Sequence, residues 1–142
     1  MNRPTVGTLT VPYVVDERRS PIDFKQMHPG HVRKCAEQRR CGICGKPMRN
    51  GRPIAFIGPD DGRRCFADPW MDVDCAKLAM AQCPFIRGGR DWRGEPVEAE
   101  RTLIGVYVSN MTLFVAPQGR AHRDDFGHWH FEVLGELRKV AA

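Results

Sequence analysis

Cys41 and Cys44 stand two residues apart in the segment CGICGKPM, and each is followed by a glycine, Gly42 or Gly45. Two thiolates at that spacing, on a backbone turned back by glycine, occupy two corners of a metal tetrahedron with Zn–S bonds of about 2.3 Å. A chain that places two donors in one tight loop must bring the remaining donors from elsewhere, which limits it to folds that return a later element to that loop. Packing alone does not ask for this spacing. A thioredoxin-like redox pair would follow a strand in a βαβ unit, and here a hairpin pattern follows instead.

The residues after the loop suggest how the return is made. The run RPIAFIG at 52–58 has strand character, Pro59, Asp60, Asp61 and Gly62 are turn residues, and 63–66 is expected to come back as the second strand of a β-hairpin. Asp68 then reads as a helix N-cap and Pro69 as the first helical residue, with a helix over 69–82 that Pro84 stops. Within that helix Asp72 and Cys75 are three apart and share a face in the first turn. Knuckle, hairpin and helix in this order define a treble clef, with Zn2+ held by Cys41, Cys44, Cys75 and, in the fourth place, Asp72. Cys65 on the return strand stands second for that place and Cys83 third. Cys83 lies eight residues beyond Cys75, about 12 Å along a helix axis, too far to share one ion. Cys35, Cys65 and Cys83 otherwise read as small buried hydrophobes.

The chain of 142 residues allows one domain with one modest core, or a small metal module with appendages. Eleven prolines and fourteen glycines favour turns over long helices. No stretch resembles a signal peptide or reaches eighteen consecutive apolar residues, so a soluble, cytoplasmic protein without a membrane partner is expected. In a reducing compartment six cysteines favour metal and core roles over disulfides.

The charge is concentrated at the knuckle. Between His31 and Arg52 there are seven basic residues against Glu37 alone, whereas the rest of the chain carries 15 basic and 16 acidic side chains. The whole excess of +5 therefore surrounds the two cysteines. Arg39, Arg40, Lys46, Arg49 and Arg52 are the candidate contacts to a nucleic acid or an acidic protein surface. No aromatic residue is interleaved with them, which argues against single-strand binding by base stacking. The bland alternative is a solvated helix face and a charged loop.

Four segments follow from the pattern: an N-terminal extended segment (1–27), the zinc module (28–87), a polar, breaker-rich linker (88–101), and a C-terminal antiparallel β region packed on the module (102–142). Together they make an α+β chain. The first contains a β-prone stretch at 8–15 broken by Pro12, and the second opens with a short helix at 31–40. In the last, 102–108 and 111–116 suggest a hairpin around Ser109 and Asn110. At 128–133 the alternation puts Trp129, Phe131 and Val133 on one face and His128, His130 and Glu132 on the other. The polar face, with His122, Asp124 and Asp125 nearby, offers metal ligands, but an exposed face of an edge strand is the plainer expectation.

The sequence CGICG, a hairpin pattern and then PWMDVDCAKLAMAQCPF resembles a group of small uncharacterised proteins from actinobacteria and their phages built on a treble-clef knuckle. The resemblance spans about residues 28–86 and extends weakly to the C-terminal strands. Its members carry a Pro-Met-His-x-x-Cys-Ala step at the helix start and Cys-Pro at its end. Cys75 and Cys83 match the two cysteines, while Asp72 stands where the family has histidine. The resemblance implies the fold and supplies no activity.

Three functions are compatible with these features. A binding module stapled by structural zinc comes first, because no convincing catalytic constellation is visible. A metal-dependent nuclease of the HNH type is the enzymatic alternative, although residues 52–68 contain no histidine to act as general base. A structural or assembly component of a virus particle or complex is the third.

Overall fold

The computed structural model describes residues 3–6, 9–18, 20, 22, 26–82 and 111–140. Its centre is the strand β3 (Ile54–Pro59), whose apolar run is buried on both faces. The strands are β1 (Thr5–Val6), β2 (Leu9–Thr10), β3, β4 (Cys65–Phe66), β5 (Met71–Asp72), β6 (Met111–Ala116), β7 (Gln118–Arg123), β8 (Trp129–Leu134) and β9 (Arg138–Val140). The helices are α1 (Pro29–Gln38) and α2 (Val73–Gln82). An α+β chain with antiparallel sheets results, as its sequence pattern implies.

The strands form a small β1–β2 pair, a four-stranded sheet in the order β5-β3-β6-β9 and a three-stranded sheet in the order β4-β8-β7. Period-2 alternation lets β3 serve two cores at once. Ile54 and Phe56 enter the core between the sheets, with Phe66, Trp70, Phe114 and Phe131. Ala55 and Ile57 enter a second core with Cys41, Ile43, Met71 and Ala76, against the knuckle and α2. In the first core Phe56 stacks on Phe66 at 5.0 Å, and Trp70 meets Phe131 edge-on at 5.0 Å and 78°. The sheets approach so closely at Gly119 that a Cβ there would sit 2.7 Å from Ile54 Cδ1.

Three expectations are corrected. The strand and return strand of the proposed hairpin do not pair with each other: β3 lies between β5 and β6, while β4 pairs with β8 in the other sheet. The turn residues 59–62 are present, but Phe66 is drawn opposite Phe131 in the inter-sheet core. Burial of aromatic surface there outweighs the short-range closure of a two-stranded ribbon. The second helix begins at Val73, not at Pro69, because Met71 and Asp72 pair as β5 with Ala55 and Ile54. Asp72 Oδ1 accepts the Asp74 N–H at 3.0 Å and so caps α2 in place of Asp68. The strand at 129–134 is the middle of its sheet and not an edge, although Phe131 and Val133 do point inward as their alternation requires.

The expected strand at 102–108, the linker at 88–101, and Cys83 with Pro84 lie outside the described residues. On β6 the stretch Leu113–Val115 already has β3 on one side and β9 on the other. α1 starts two residues earlier than its apolar spacing suggests: Pro29 takes the first turn, and His28 Nδ1 accepts the His31 N–H at 3.2 Å as the cap. No described helix is long and apolar enough to cross a membrane.

Candidate metal centre

The knuckle is a closed loop. The Cys41 N–H donates to Lys46 O and the Gly45 N–H to Cys41 O, both at 2.9 Å, and Arg40 faces Pro47 in an isolated antiparallel bridge. Gly45 closes the turn at φ +77°, a left-handed conformation that favours glycine. Two further bonds attach the loop to the rest of the chain. The Gly42 N–H donates to Trp70 O at 2.9 Å, and the Asp72 N–H donates to Cys41 Sγ at 3.2 Å. The first turn of α2 is thereby held over the knuckle, and the thiols of Cys41, Cys44 and Cys75 all come within 4.8 Å of one another. Sulfurs on a tetrahedral zinc ion are about 3.8 Å apart, so the three need only small adjustments to share one.

The three thiols perturb one another's ionisation. Cys41 is held below the usual thiol range, first by the thiol of Cys75, which donates to it, and then by main-chain N–H groups of Cys44, Asp72 and Ile43. Cys75 is pushed up, chiefly because it supplies that proton, and burial raises Cys44. Cys41 is thus the easiest of the three to ionise. A divalent cation is the natural means of making all three anionic together, and the donor set suits a thiophilic ion such as Zn2+.

Of the four ligands expected from sequence, the structure brings Cys41, Cys44 and Cys75 together. The carboxylate of Asp72 is not within that group of donors, and its Oδ1 is engaged as the cap of α2. Cys65 is exposed on β4 opposite Glu132, so it is neither a core residue nor near the cluster through its own sheet. Cys35 is fully buried, as a small hydrophobe would be. The five described cysteines are free thiols.

The basic residues divide into two groups. Arg39, at the left-handed C-cap of α1, keeps Nε and Nη2 buried, and Arg40 is bound to Gly45 O at 2.9 Å and to Gln38 at 2.7 Å. Lys46, Arg49 and Arg52 are exposed. Arg40 therefore braces the knuckle, Arg39 buries two guanidinium nitrogens that have no hydrogen-bond partner, and of the five candidates the outward positive charge comes from the other three.

A buttress of rings had no sequence signal beyond the presence of the residues. Tyr13 lies against Gly45, His31 stacks on Tyr13 at 4.2 Å, and His28 stacks on His31 at 4.0 Å. His31 Nδ1 also meets Tyr13 O at 2.7 Å, and burial holds the ring below the usual histidine range. The Tyr13 and Val14 N–H groups donate to Ile43 O and Gly42 O, binding the N-terminal segment to the knuckle.

Comparison of the chain with protein-family models, with curated proteins and with solved structures gives no match.

Proposed function

We propose that this chain is a small structural-zinc module of treble-clef type that acts by binding, presenting Lys46, Arg49 and Arg52 to a nucleic acid or an acidic protein surface. The observation that carries it is the convergence of three thiols from two elements, the knuckle and the first turn of α2. Two cysteines alone would suit a redox pair, but a third at the same point is what a metal tetrahedron uses. The remaining position is assigned to Asp72, three residues before Cys75, through the carboxylate oxygen not occupied in capping α2. The order of knuckle, strands and ligand-bearing helix supports the treble-clef assignment, with the strands paired to later parts of the chain. The resemblance of residues 28–86 to the actinobacterial and phage proteins supports the same class and such an origin. When bound, the ion would supply a cross-link between loop and helix.

Elemental analysis and native mass spectrometry of the purified protein should give one zinc per chain, lost with Cys75→Ser and weakened with Asp72→Asn. Absence of bound metal in the presence of added Zn2+ would overturn the assignment. For the partner, duplex DNA, single-stranded DNA and RNA are titrated at two salt concentrations. Each phosphate contact removed by alanine at 46, 49 or 52 should flatten the logarithmic salt dependence by about 0.9 on duplex DNA. No association at low salt would eliminate nucleic acid and leave the acidic protein surface.

A further inference from the structure

The outer face of the β4-β8-β7 sheet holds a second group of metal-ligating side chains, on β7 and β8, which supply none of the three clustered thiols. β7 and β8 pair so that His122 stands opposite His130 and Arg120 opposite Glu132. Phe131 and Val133 turn into the core, so the histidines and Glu132 share the solvent side. The two imidazoles lie nearly parallel, at 18°, with centroids 5.4 Å apart. Behind each stands a carboxylate: His130 Nε2 is 2.8 Å from Asp124 Oδ2, and His122 Nδ1 is 3.9 Å from Glu132 Oε2.

We propose that His122 and His130 form an exchangeable site for a first-row divalent transition ion such as Zn2+, Ni2+ or Cu2+, with Asp124 orienting His130. Directly opposed residues of an antiparallel pair have Cβ atoms about 4.5–5.5 Å apart, a span from which two imidazoles can converge on one ion at about 2.0–2.1 Å. The parallel rings must turn about their side-chain torsions to do so, and at 48% and 33% exposure they have room. A ligating histidine commonly gives its other N–H to a carboxylate, which fixes the tautomer and raises the basicity of the free nitrogen. Asp124 meets that description. Its Oδ1 accepts the N–H groups of Phe126 and His128, both at 2.9 Å, and its Oδ2 bonds His130 at 2.8 Å, with the His128 ring farther off at 3.8 Å. His130 Nδ1 is then the donor nitrogen.

Two features define the chemistry further. Glu132 is bound by Arg120 at 2.8 Å, so the imidazoles carry the affinity, and nitrogen donors favour borderline transition ions over Mg2+ or Ca2+. The stacked pair His28 and His31 is a built-in control. There His28 Nδ1 accepts the His31 N–H, so the only lone pair of its neutral ring is already used and the pair cannot offer two donor nitrogens to one ion.

The full chain, preloaded with Zn2+, is titrated with Ni2+ while the imidazole resonances of all five histidines are followed by NMR. His122 and His130 should broaden together at the lowest additions, ahead of His28 and His31. His122→Asn or His130→Asn should abolish that preference. Asp124→Asn, which keeps the Oδ1 acceptor of the turn, should weaken binding about 10- to 100-fold. Equal broadening of all histidines, or unchanged affinity in His130→Asn, would overturn the proposal. All three positions are on the solvent side, and far-UV circular dichroism verifies that the variants are folded. Because the signal comes from imidazole, the outcome does not depend on whether the thiols hold zinc.

Discussion

Replacing Gly45 by alanine separates two contributions that meet at the knuckle. At φ +77° an alanine incurs the left-handed backbone cost, about 1–2 kcal/mol. Its Cβ would also lie 2.6 Å and 2.8 Å from Cδ1 and Cγ of Tyr13. That ring is stacked on His31 at 4.2 Å, which limits its retreat, so overpacking adds about 1–3 kcal/mol. A total loss of about 2–5 kcal/mol follows. Gly51 is the control: it has φ +85°, but nothing lies within 4 Å of the position its Cβ would take, so Gly51→Ala should lose only the backbone part. Urea denaturation of both variants with zinc in excess gives the difference directly. Tyr13→Ala in the Gly45→Ala background should recover part of the steric loss. Equal destabilisation by Gly45→Ala and Gly51→Ala would refute the packing of Tyr13 on the knuckle.

Three further outcomes are expected. Phe131 is fully buried between the sheets, so Phe131→Ala should lower stability by about 3–5 kcal/mol in the same assay, and a loss below about 1.5 kcal/mol would count against that core. Asp124 is held at about 2, below the ordinary 3.8, chiefly by its hydrogen bond with His130 and then by main-chain N–H groups. Since the folded value is the lower one, its stabilisation is fully present above pH 3.8 and is lost as pH falls towards 2; carboxyl NMR should show a low midpoint that rises in His130→Asn. Under native conditions exposed Cys65 should be alkylated well before Cys35, which is fully buried and whose thiol burial pushes up to about 12. Peptide mapping that finds Cys35 labelled first would contradict the packing.

What could be read from sequence was local chemistry, and what could not was long-range pairing. The knuckle is visible because two cysteines and two glycines within five residues have a geometric meaning wherever they fall. Cys75 is found by asking which later element can return a donor. β3 is recognisable from its apolar run, but its partners 111–116 and 71–72 are selected by the two cores it fills, which no local window contains. The same limitation hid β7. Residues 118–123 lack a strong strand pattern, yet they pair along their whole length with β8. The available signal was the turn Asp124-Asp125-Phe126-Gly127, with Gly127 at φ +82°, which joins β7 to β8 and sets His122 opposite His130. Asp72 shows how a residue suited to one task serves another, since an aspartate near a helix start is also a good cap.

The strand β9 gives the end of the described chain a protective task. Arg138, Lys139 and Val140 cover Val115, Phe114 and Leu113, and the two cations project from the outermost strand of their sheet. Cutting the polypeptide before Arg138 would strip this cover and leave the amide and carbonyl groups of Leu113–Val115 open along that side. A bare, mostly apolar border of that kind recruits other chains, so shortened versions should clump before they lose their shape.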